Sequence, residues 1–370
     1  MVYGTVVGDN YKDLDTNIPQ ILPSLCFVKV KGEGCSLFTS KTSTGLDIGS
    51  QLIKLVQVQR RGDRTQIKTL GQMPTPRGLV ENGFIINPDL IGQELGKLVN
   101  RLKLRGATTV SAVSGQQVYT RLLTLPAMKL RDMRNAALYQ AISLLPISIE
   151  DITTDVYPVR YFEDEEGKRC ELFFVAARKA QTENLMETCR VAGLRLKRVE
   201  IEPLALHTLY QQQLSGDKAQ GVLNIGWNCS YLAVFQKGIL VFVRYIGFGC
   251  TTLYQYRNES DQGIMGLGEI HCQDFQQASF MVNFVNELNR SLEYFRLQSK
   301  GETLKGIVLC GGGARVGGIA EYLSRAIGVP IIAGNLSSCV QLTDNITAKD
   351  KEALMHEYPV ALGLAMRGWI

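Results

Sequence analysis

Two short stretches of the sequence combine a polar side chain and a glycine in the same order. Asp47-Ile-Gly49 and Asn224-Ile-Gly226 each follow apolar residues typical of a strand, and each precedes a second β-rich stretch. Glycine in such a turn lets backbone N–H groups approach a phosphate closely, because no Cβ is in the way. An aspartate at a strand end can hold Mg²⁺, usually through water. The two turns therefore predict a polyphosphate site, with Asp47 as the candidate metal ligand.

Three consecutive glycines form a third candidate element. Gly311, Gly312 and Gly313 follow the apolar run Ile307–Cys310, which reads as a buried strand, and precede a helical pattern. Glycines at a strand-to-helix turn allow a flat base or a phosphate to lie against the backbone and the positive helix end. The spacing matches neither a dinucleotide fingerprint nor a P-loop, since no Gly-Lys-Ser/Thr occurs in the sequence.

A predicted helix from Phe284 to Arg296 carries the fourth group of polar residues. Glu287, Arg290 and Ser291 share one of its faces, at spacings of three and four residues. The carboxylate could accept hydrogen bonds from ribose hydroxyls, while the guanidinium stacks on a base or meets a phosphate. A solvated Glu–Arg pair is the alternative interpretation of the same pattern.

Composition excludes several other classes of protein. A net charge of +5 spread over 370 residues lacks the concentrated basic stripe of nucleic-acid-binding proteins. Nine cysteines without a CxxC pair indicate reduced thiols and a cytoplasmic protein, and His271-Cys272 is too small a cluster for structural zinc. No stretch meets the requirement of ~20 apolar residues for a membrane span.

The elements that must position these residues form a repeated pattern. The two polar–Ile–Gly turns lie 177 residues apart, and a strand–turn–strand passage surrounds each of them. Repetition at about half the chain length predicts two similar α/β halves that face each other. Between them, residues 117–180 read as a small α+β unit whose amphipathic helix runs from Met128 to Leu145.

These patterns predict the following domain boundaries. The chain is expected to begin with an N-terminal extension that lies outside the main fold and can be flexible. The ordered fold is expected to begin with the first half, at Gly45. The predicted parts are 1–44 for the extension, 45–116 and 196–218 for the first half, 355–370 for the segment that rejoins it, 117–195 for an inserted subdomain and 219–354 for the second half.

Together, these features resemble the actin-like ATPase superfamily and, within it, the PilM family of type IV pilus assembly proteins. The resemblance covers about residues 45–370 and is most specific at Gly45–Ser50 with Ile53-Lys54, Ser111–Gly115, Leu145–Asp151, Gly311–Ala314 and Pro359–Ala365. It implies an α/β protein of the actin-like ATPase fold, with two related α/β halves around a nucleotide cleft and a small inserted α+β subdomain. FtsA, a division protein, is a related family, but its C-terminal amphipathic membrane helix is not seen here.

The resemblance also implies ligands and site residues. ATP and Mg²⁺ are the expected ligands. The first phosphate turn corresponds to Asp47, Gly49 and Ser50, with Asp47 near Mg²⁺, and the second corresponds to Asn224, Gly226 and Ser230. Ribose and adenine would be contacted by Glu287, Arg290 and Ser291. The base pocket would be lined by Gly311, Gly312 and Gly313.

The expected partner follows from the same resemblance. In the PilM family, a groove beside the inserted subdomain holds the cytoplasmic N-terminal tail of PilN, an inner-membrane protein. The chain is therefore expected to be a cytoplasmic scaffold at the inner face of that membrane. Other inner-membrane and motor components of the pilus are further expected partners.

One residue departs from the family pattern. The second phosphate turn usually begins with Asp, whereas this chain has Asn224. A neutral amide cannot act as a base or add charge near a metal, so turnover should suffer more than binding. We therefore expect slow or absent ATP hydrolysis. The alternatives are a small-molecule kinase of the same superfamily, which would need a carboxylate base, and an FtsA-like filament-forming protein.

Overall fold

The computed structural model describes most of the chain. The described residues are 28–29, 42–62, 64–142, 145–259, 270–274, 278–336, 340–342 and 348–369. The strands are β1 (Val28–Lys29), β2 (Thr42–Ile48), β3 (Leu52–Arg61), β4 (Arg64–Pro74), β5 (Val80–Glu81), β6 (Phe84–Ile85), β7 (Thr108–Val113), β8 (Val118–Pro126), β9 (Ile152–Asp164), β10 (Gly167–Arg178), β11 (Arg195–Ile201), β12 (Gln220–Ile225), β13 (Ser230–Gln236), β14 (Ile239–Ile246), β15 (Ile307–Cys310), β16 (Ile331–Ala333) and β17 (Val340–Gln341).

The helices lie between these strands and cover the sheets. They are α1 (Pro88–Arg101), α2 (Leu130–Ile142), α3 (Lys179–Val191), α4 (Glu202–Leu209), α5 (Cys250–Glu259), α6 (Ser279–Gln298), α7 (Ile319–Ile327), α8 (Ala348–His356) and α9 (Pro359–Arg367). In the part of the chain that the structure describes, none of these helices is both long enough and apolar enough to cross a bilayer.

Two large sheets share one topology, as the repeated turns predicted. In the first, the central order is β11-β7-β2-β3-β4, with β2, β3 and β4 antiparallel and β7 and β11 parallel to β2. In the second, the order β16-β15-β12-β13-β14 repeats that arrangement, strand for strand. Each polar–Ile–Gly turn thus joins the first two strands of an antiparallel meander.

The inserted unit is a third, smaller sheet of order β8-β10-β9 covered by α2. On that covered face, Met133, Ala137 and Ala141 of the helix pack against Leu123 and Phe174 of the sheet. The apolar face of the predicted amphipathic helix is therefore buried at these residues, and residues 143–144 of the predicted range lie outside the described residues. The opposite face belongs to the main core, which Phe173 and Val175 enter.

Helix α3 lies at the boundary of the inserted unit. It packs against α1, where a Cβ on Gly92 would stand 2.6 Å from the Cβ of Val191. The three-stranded sheet itself spans residues 118–178. We therefore propose that the inserted subdomain ends near residue 178, earlier than the predicted boundary at residue 195.

The C-terminal helix α9 packs on the sheet of the first half, which residues 355–370 are predicted to rejoin. It packs between β2 and α4 at very close range. A Cβ on Gly45 would overlap the carbonyl oxygen of Ala361, and one on Gly363 would overlap that of Ala205. Helix and sheet approach this closely because both contact points are glycines.

Parts of the chain outside the predicted first half also join its sheet. β2 begins at Thr42, three residues before the predicted start at Gly45, and β1 pairs with β11 at its edge. The rest of the predicted extension lies outside the described residues. On the other edge, β17 pairs with β4, although residues 340–341 were expected in the second half.

Candidate functional site: a cleft between two matched turns

The two polar–Ile–Gly turns have the same hydrogen bond. The N–H of Gly49 donates to the carbonyl of Leu52, and the N–H of Gly226 donates to that of Cys229, each at 3.1 Å. A Cβ on Gly226 would stand only 2.6 Å from the Cys229 oxygen, so this turn needs glycine. The first turn is held further by Thr75, whose hydroxyl donates to the Gly49 carbonyl at 2.7 Å.

Both turns line one cavity of about 280 Å³. The meanders approach it from the two large sheets, and the loop between β7 and β8, at Ser114 and Gly115, also lines it. Seven of the predicted site residues line this cavity: Asp47, Gly49, Ser50, Asn224, Gly226, Gly311 and Gly312. The structure therefore brings together three segments that are far apart in sequence.

Asp47 lies at the inner end of the cavity beside a lysine. Its carboxylate accepts a hydrogen bond from Lys54 Nζ at 2.8 Å, and only 8 % of the Asp47 residue is exposed. Lys54 is the residue directly opposite Asp47 on β3, so the hairpin register fixes the pair. A single carboxylate of this kind fits Mg²⁺ held through water and phosphate oxygens, and no cluster of three metal-ligating side chains occurs among the described residues.

The glycine turn lies against the second polar–Ile–Gly turn. Gly311 has φ +87°, a conformation that favours glycine, and a Cβ there would overlap the side-chain oxygen of Asn224. Cys310 Sγ lies 3.7 Å from the same oxygen. Gly313 is buried beneath the turn against Ile225 rather than lining the cavity.

Ser230 does not reach the cavity. It is fully buried at the start of β13, and its hydroxyl donates to the Phe248 carbonyl at 2.7 Å. This bond ties the second meander to the loop after β14. The Ser230 hydroxyl thus helps to hold the second turn in place, and its predicted part in the phosphate site stays a prediction.

The three polar residues of α6 lie elsewhere. The predicted helix is present and longer than expected, but none of Glu287, Arg290 and Ser291 is among the residues that line the cavity. Glu287 accepts hydrogen bonds from Arg244 at 3.3 Å and Arg290 at 2.6 Å, and the Ser291 hydroxyl donates to the Glu287 carbonyl. The structure thus shows the Glu–Arg pair of the alternative interpretation, and contacts of these residues with ribose and adenine stay a prediction.

Sequence reasoning missed Glu202, the first residue of α4. Its carboxyl lines the cavity near Asp47. Burial, followed by the negative charge of Asp47, raises its pKa to about 8, while hydrogen bonding with Ser114 and the charge of Lys54 act in the opposite direction. The signal in the sequence is a pair of acidic residues, Glu200 and Glu202, in the otherwise apolar strand-to-helix junction Val199–Leu206.

Comparison with known proteins identifies the family. The family model described as "Type IV pilus assembly protein PilM" matches residues 45–369. The chain belongs to the PilM family. The predicted family is thereby confirmed, and the match spans both halves and the inserted unit.

Solved structures agree with this assignment. The structure described as "PilM-PilN type IV pilus biogenesis complex" is 27 % identical, with a TM-score of 0.79, and the match covers 90 % of this chain and 100 % of that one. The ethanolamine utilization protein EutJ from Carboxydothermus hydrogenoformans is 14 % identical, with a TM-score of 0.51, over 90 % of this chain and 91 % of that one. The second likeness concerns the fold alone. This PilM-family chain thus has the predicted actin-like ATPase fold.

Proposed function

We propose that the chain is an ATP-binding, actin-like scaffold of type IV pilus assembly that binds the cytoplasmic N-terminal tail of PilN. Membership of the PilM family supports the role in pilus assembly. The similar structure described as a PilM–PilN complex supports the partner. A tail anchored in the inner membrane would hold the scaffold at its cytoplasmic face.

The observation that carries nucleotide binding is the meeting of two matched turns at one cavity. Gly49 and Gly226 present equivalent backbone turns from opposite sheets, and Lys54 supplies a cation next to the first of them. Turns of this kind bind phosphate through backbone N–H groups and a nearby positive charge. Gly311 and Gly312 add an open backbone surface suited to the base.

Mg²⁺ would be held on the side of Asp47, where it would neutralise part of the phosphate charge. The second turn offers Asn224 at the equivalent position, and its amide adds no negative charge and accepts no proton. Burial and the charge of Asp47 raise the pKa of Glu202 to about 8 in the ligand-free protein, which weakens it as a base there. Both properties support slow hydrolysis of the bound ATP.

The inserted unit touches the second sheet as well as the first half. The hydroxyl of Thr120, on β8, donates to the carbonyl of Val243, on β14, at 3.2 Å. A change in the angle between the halves must therefore act on the inserted unit. In our proposal the PilN tail binds beside this unit, and ATP tunes the affinity for the tail by favouring one arrangement of the halves.

Titration calorimetry with Mg-ATP tests the proposal directly. Wild-type protein should bind Mg-ATP, Asp47→Ala should weaken this binding, and the exposed control Asp89→Ala should leave it unchanged. A synthetic PilN tail peptide is then titrated with and without saturating ATP. Absence of Mg-ATP binding by the wild type, or an equal tail affinity under both conditions, would contradict the corresponding part of the proposal.

A further inference from the structure

Four of the titratable side chains that line the cavity form two ion pairs. Lys54 pairs with Asp47 within one hairpin. The second pair joins Arg315 Nη1 to Glu357 Oε1 at 2.7 Å, and both residues line the cavity. The two side chains of this second pair are 29 % and 17 % exposed, so the pair is shielded from much of the solvent.

Arg315 is held firmly by the second half. It ends the 3₁₀ turn Gly312–Arg315 that follows β15. Two backbone hydrogen bonds brace this turn, from Ala314 to Gly311 at 3.0 Å and from Val316 to Gly313 at 3.2 Å. Because Gly313 is packed against Ile225 of β12, the turn moves with the second sheet.

Glu357 is held equally firmly where the chain returns to the first half. It lies between α8 and α9, and its N–H donates to the carbonyl of Ala353 at 2.6 Å. Tyr358, the next residue, is 2 % exposed, and α9 then packs against β2. Glu357 therefore lies at the junction between α8, which contacts the Gly312–Arg315 turn, and α9, which packs on the first sheet.

We infer that the Arg315–Glu357 ion pair is a clasp that closes the cleft over the bound nucleotide and slows its release. The pair joins the glycine turn of the second half to the start of α9, and both partners form part of the cavity wall. Opening the cleft by moving the start of α9 away from the Gly312–Arg315 turn would separate them. This inference rests on the nucleotide binding proposed above.

The clasp predicts a pattern across variants that simple ligand contacts would not produce. Arg315→Gln, Glu357→Gln and the double variant should each release nucleotide faster, by roughly two- to tenfold, and by similar factors, since each removes the same pair. The exchange Arg315→Glu with Glu357→Arg should restore part of the slow release. If Arg315 only contacted the nucleotide, Glu357→Gln would leave release unchanged, and the inference would fail.

Stopped-flow release of a fluorescent ADP analogue from the full chain measures these rates. Arg296 and Glu293 form an exposed ion pair on α6, at 2.8 Å, and supply the matched control through Glu293→Gln. Acceleration by the control, or factors for the two single variants that multiply in the double variant, would also overturn the clasp.

Hydrogen exchange separates this inference from the proposed function. If the pair is a clasp, the backbone amides of residues 311–316 and of Glu357, Tyr358 and Val360 should exchange faster in Glu357→Gln than in the wild type without added nucleotide. A wild type that binds no nucleotide would contradict the proposed function, whereas unchanged exchange at these amides would overturn the clasp itself.

Discussion

Lys54 and Asp47 are cross-strand neighbours whose side chains meet at the inner end of the cleft, with 2.8 Å between Nζ and Oδ2. The β2–β3 register places a cation beside the carboxylate that we assign to Mg²⁺. The same lysine lowers the pKa of Glu202, which is otherwise raised. One residue thus limits the repulsion between two neighbouring carboxyl groups and supplies a positive charge for a phosphate.

Replacing this lysine should therefore affect ligand binding strongly. Lys54→Gln is expected to weaken Mg-ATP binding by about tenfold or more, because a charged hydrogen-bond donor near the phosphates is lost. Calorimetry measures the change in Kd. Lys97→Gln removes the lysine of an exposed pair with Glu94 on α1 and serves as the control. Equal affinities for wild type and Lys54→Gln would contradict this placement of the phosphates.

The glycine contact between β2 and α9 predicts a large loss of stability. Gly45→Ala would force a Cβ into the carbonyl of Ala361, and backbone cannot move aside as a flexible side chain can. We expect the free energy of unfolding to fall by about 3 kcal/mol or more. Urea unfolding measures it. Gly96→Ala on α1, where the nearest atoms are 3.7 Å away, should cost little, and comparable losses for both variants would refute this explanation.

Glu202 should make stability depend on pH. Its pKa is raised from 4.5 to about 8 by burial and by Asp47, so between these values the folded protein retains a proton that the unfolded chain has released. Stability contributed by this proton is complete at low pH and is lost as the pH rises through this range. Glu202→Gln should make the decline between pH 5 and pH 8 shallower in urea unfolding, whereas Glu293→Gln should not. Parallel profiles for wild type and Glu202→Gln would contradict the raised pKa.

Asn224 offers a test of weak turnover. Asn224→Asp restores a carboxylate at the second turn, and phosphate release should then rise while Mg-ATP binding changes less. A coupled phosphate assay at saturating Mg-ATP measures the rate. An unchanged rate in Asn224→Asp would show that the missing carboxylate does not limit turnover.

Thr120 tests whether the inserted unit senses the cleft. Thr120→Val keeps the shape of the side chain but removes its hydrogen bond to Val243. We expect ATP to change the affinity for the PilN tail less in this variant, with ATP binding itself preserved. Thr124→Val, on the same strand, is the control. If ATP shifts the tail affinity equally in wild type and Thr120→Val, this hydrogen bond carries no coupling.

The sequence predicted the parts of the site that local turns determine. Gly49 and Gly226 could be recognised because each turn closes a hydrogen bond over three residues, and such turns have a local signature. Arg315 and Glu357 were missed because packing of α9 on the first sheet brings them together. For Glu287, the helix was predicted correctly, but the direction of the side chain depends on Arg244, a residue of another strand. The type of a residue therefore predicted its place in the site only where the neighbouring backbone determines the direction of its side chain.

The position of α9 has a consequence for synthesis on the ribosome. The first half begins at β2, yet the surface of β2 that α9 covers stays exposed until residues 359–367 have been translated. β17 reaches the same sheet from residues 340–341. The first half therefore cannot complete its fold on the ribosome until the inserted unit and the second half have emerged from the exit tunnel.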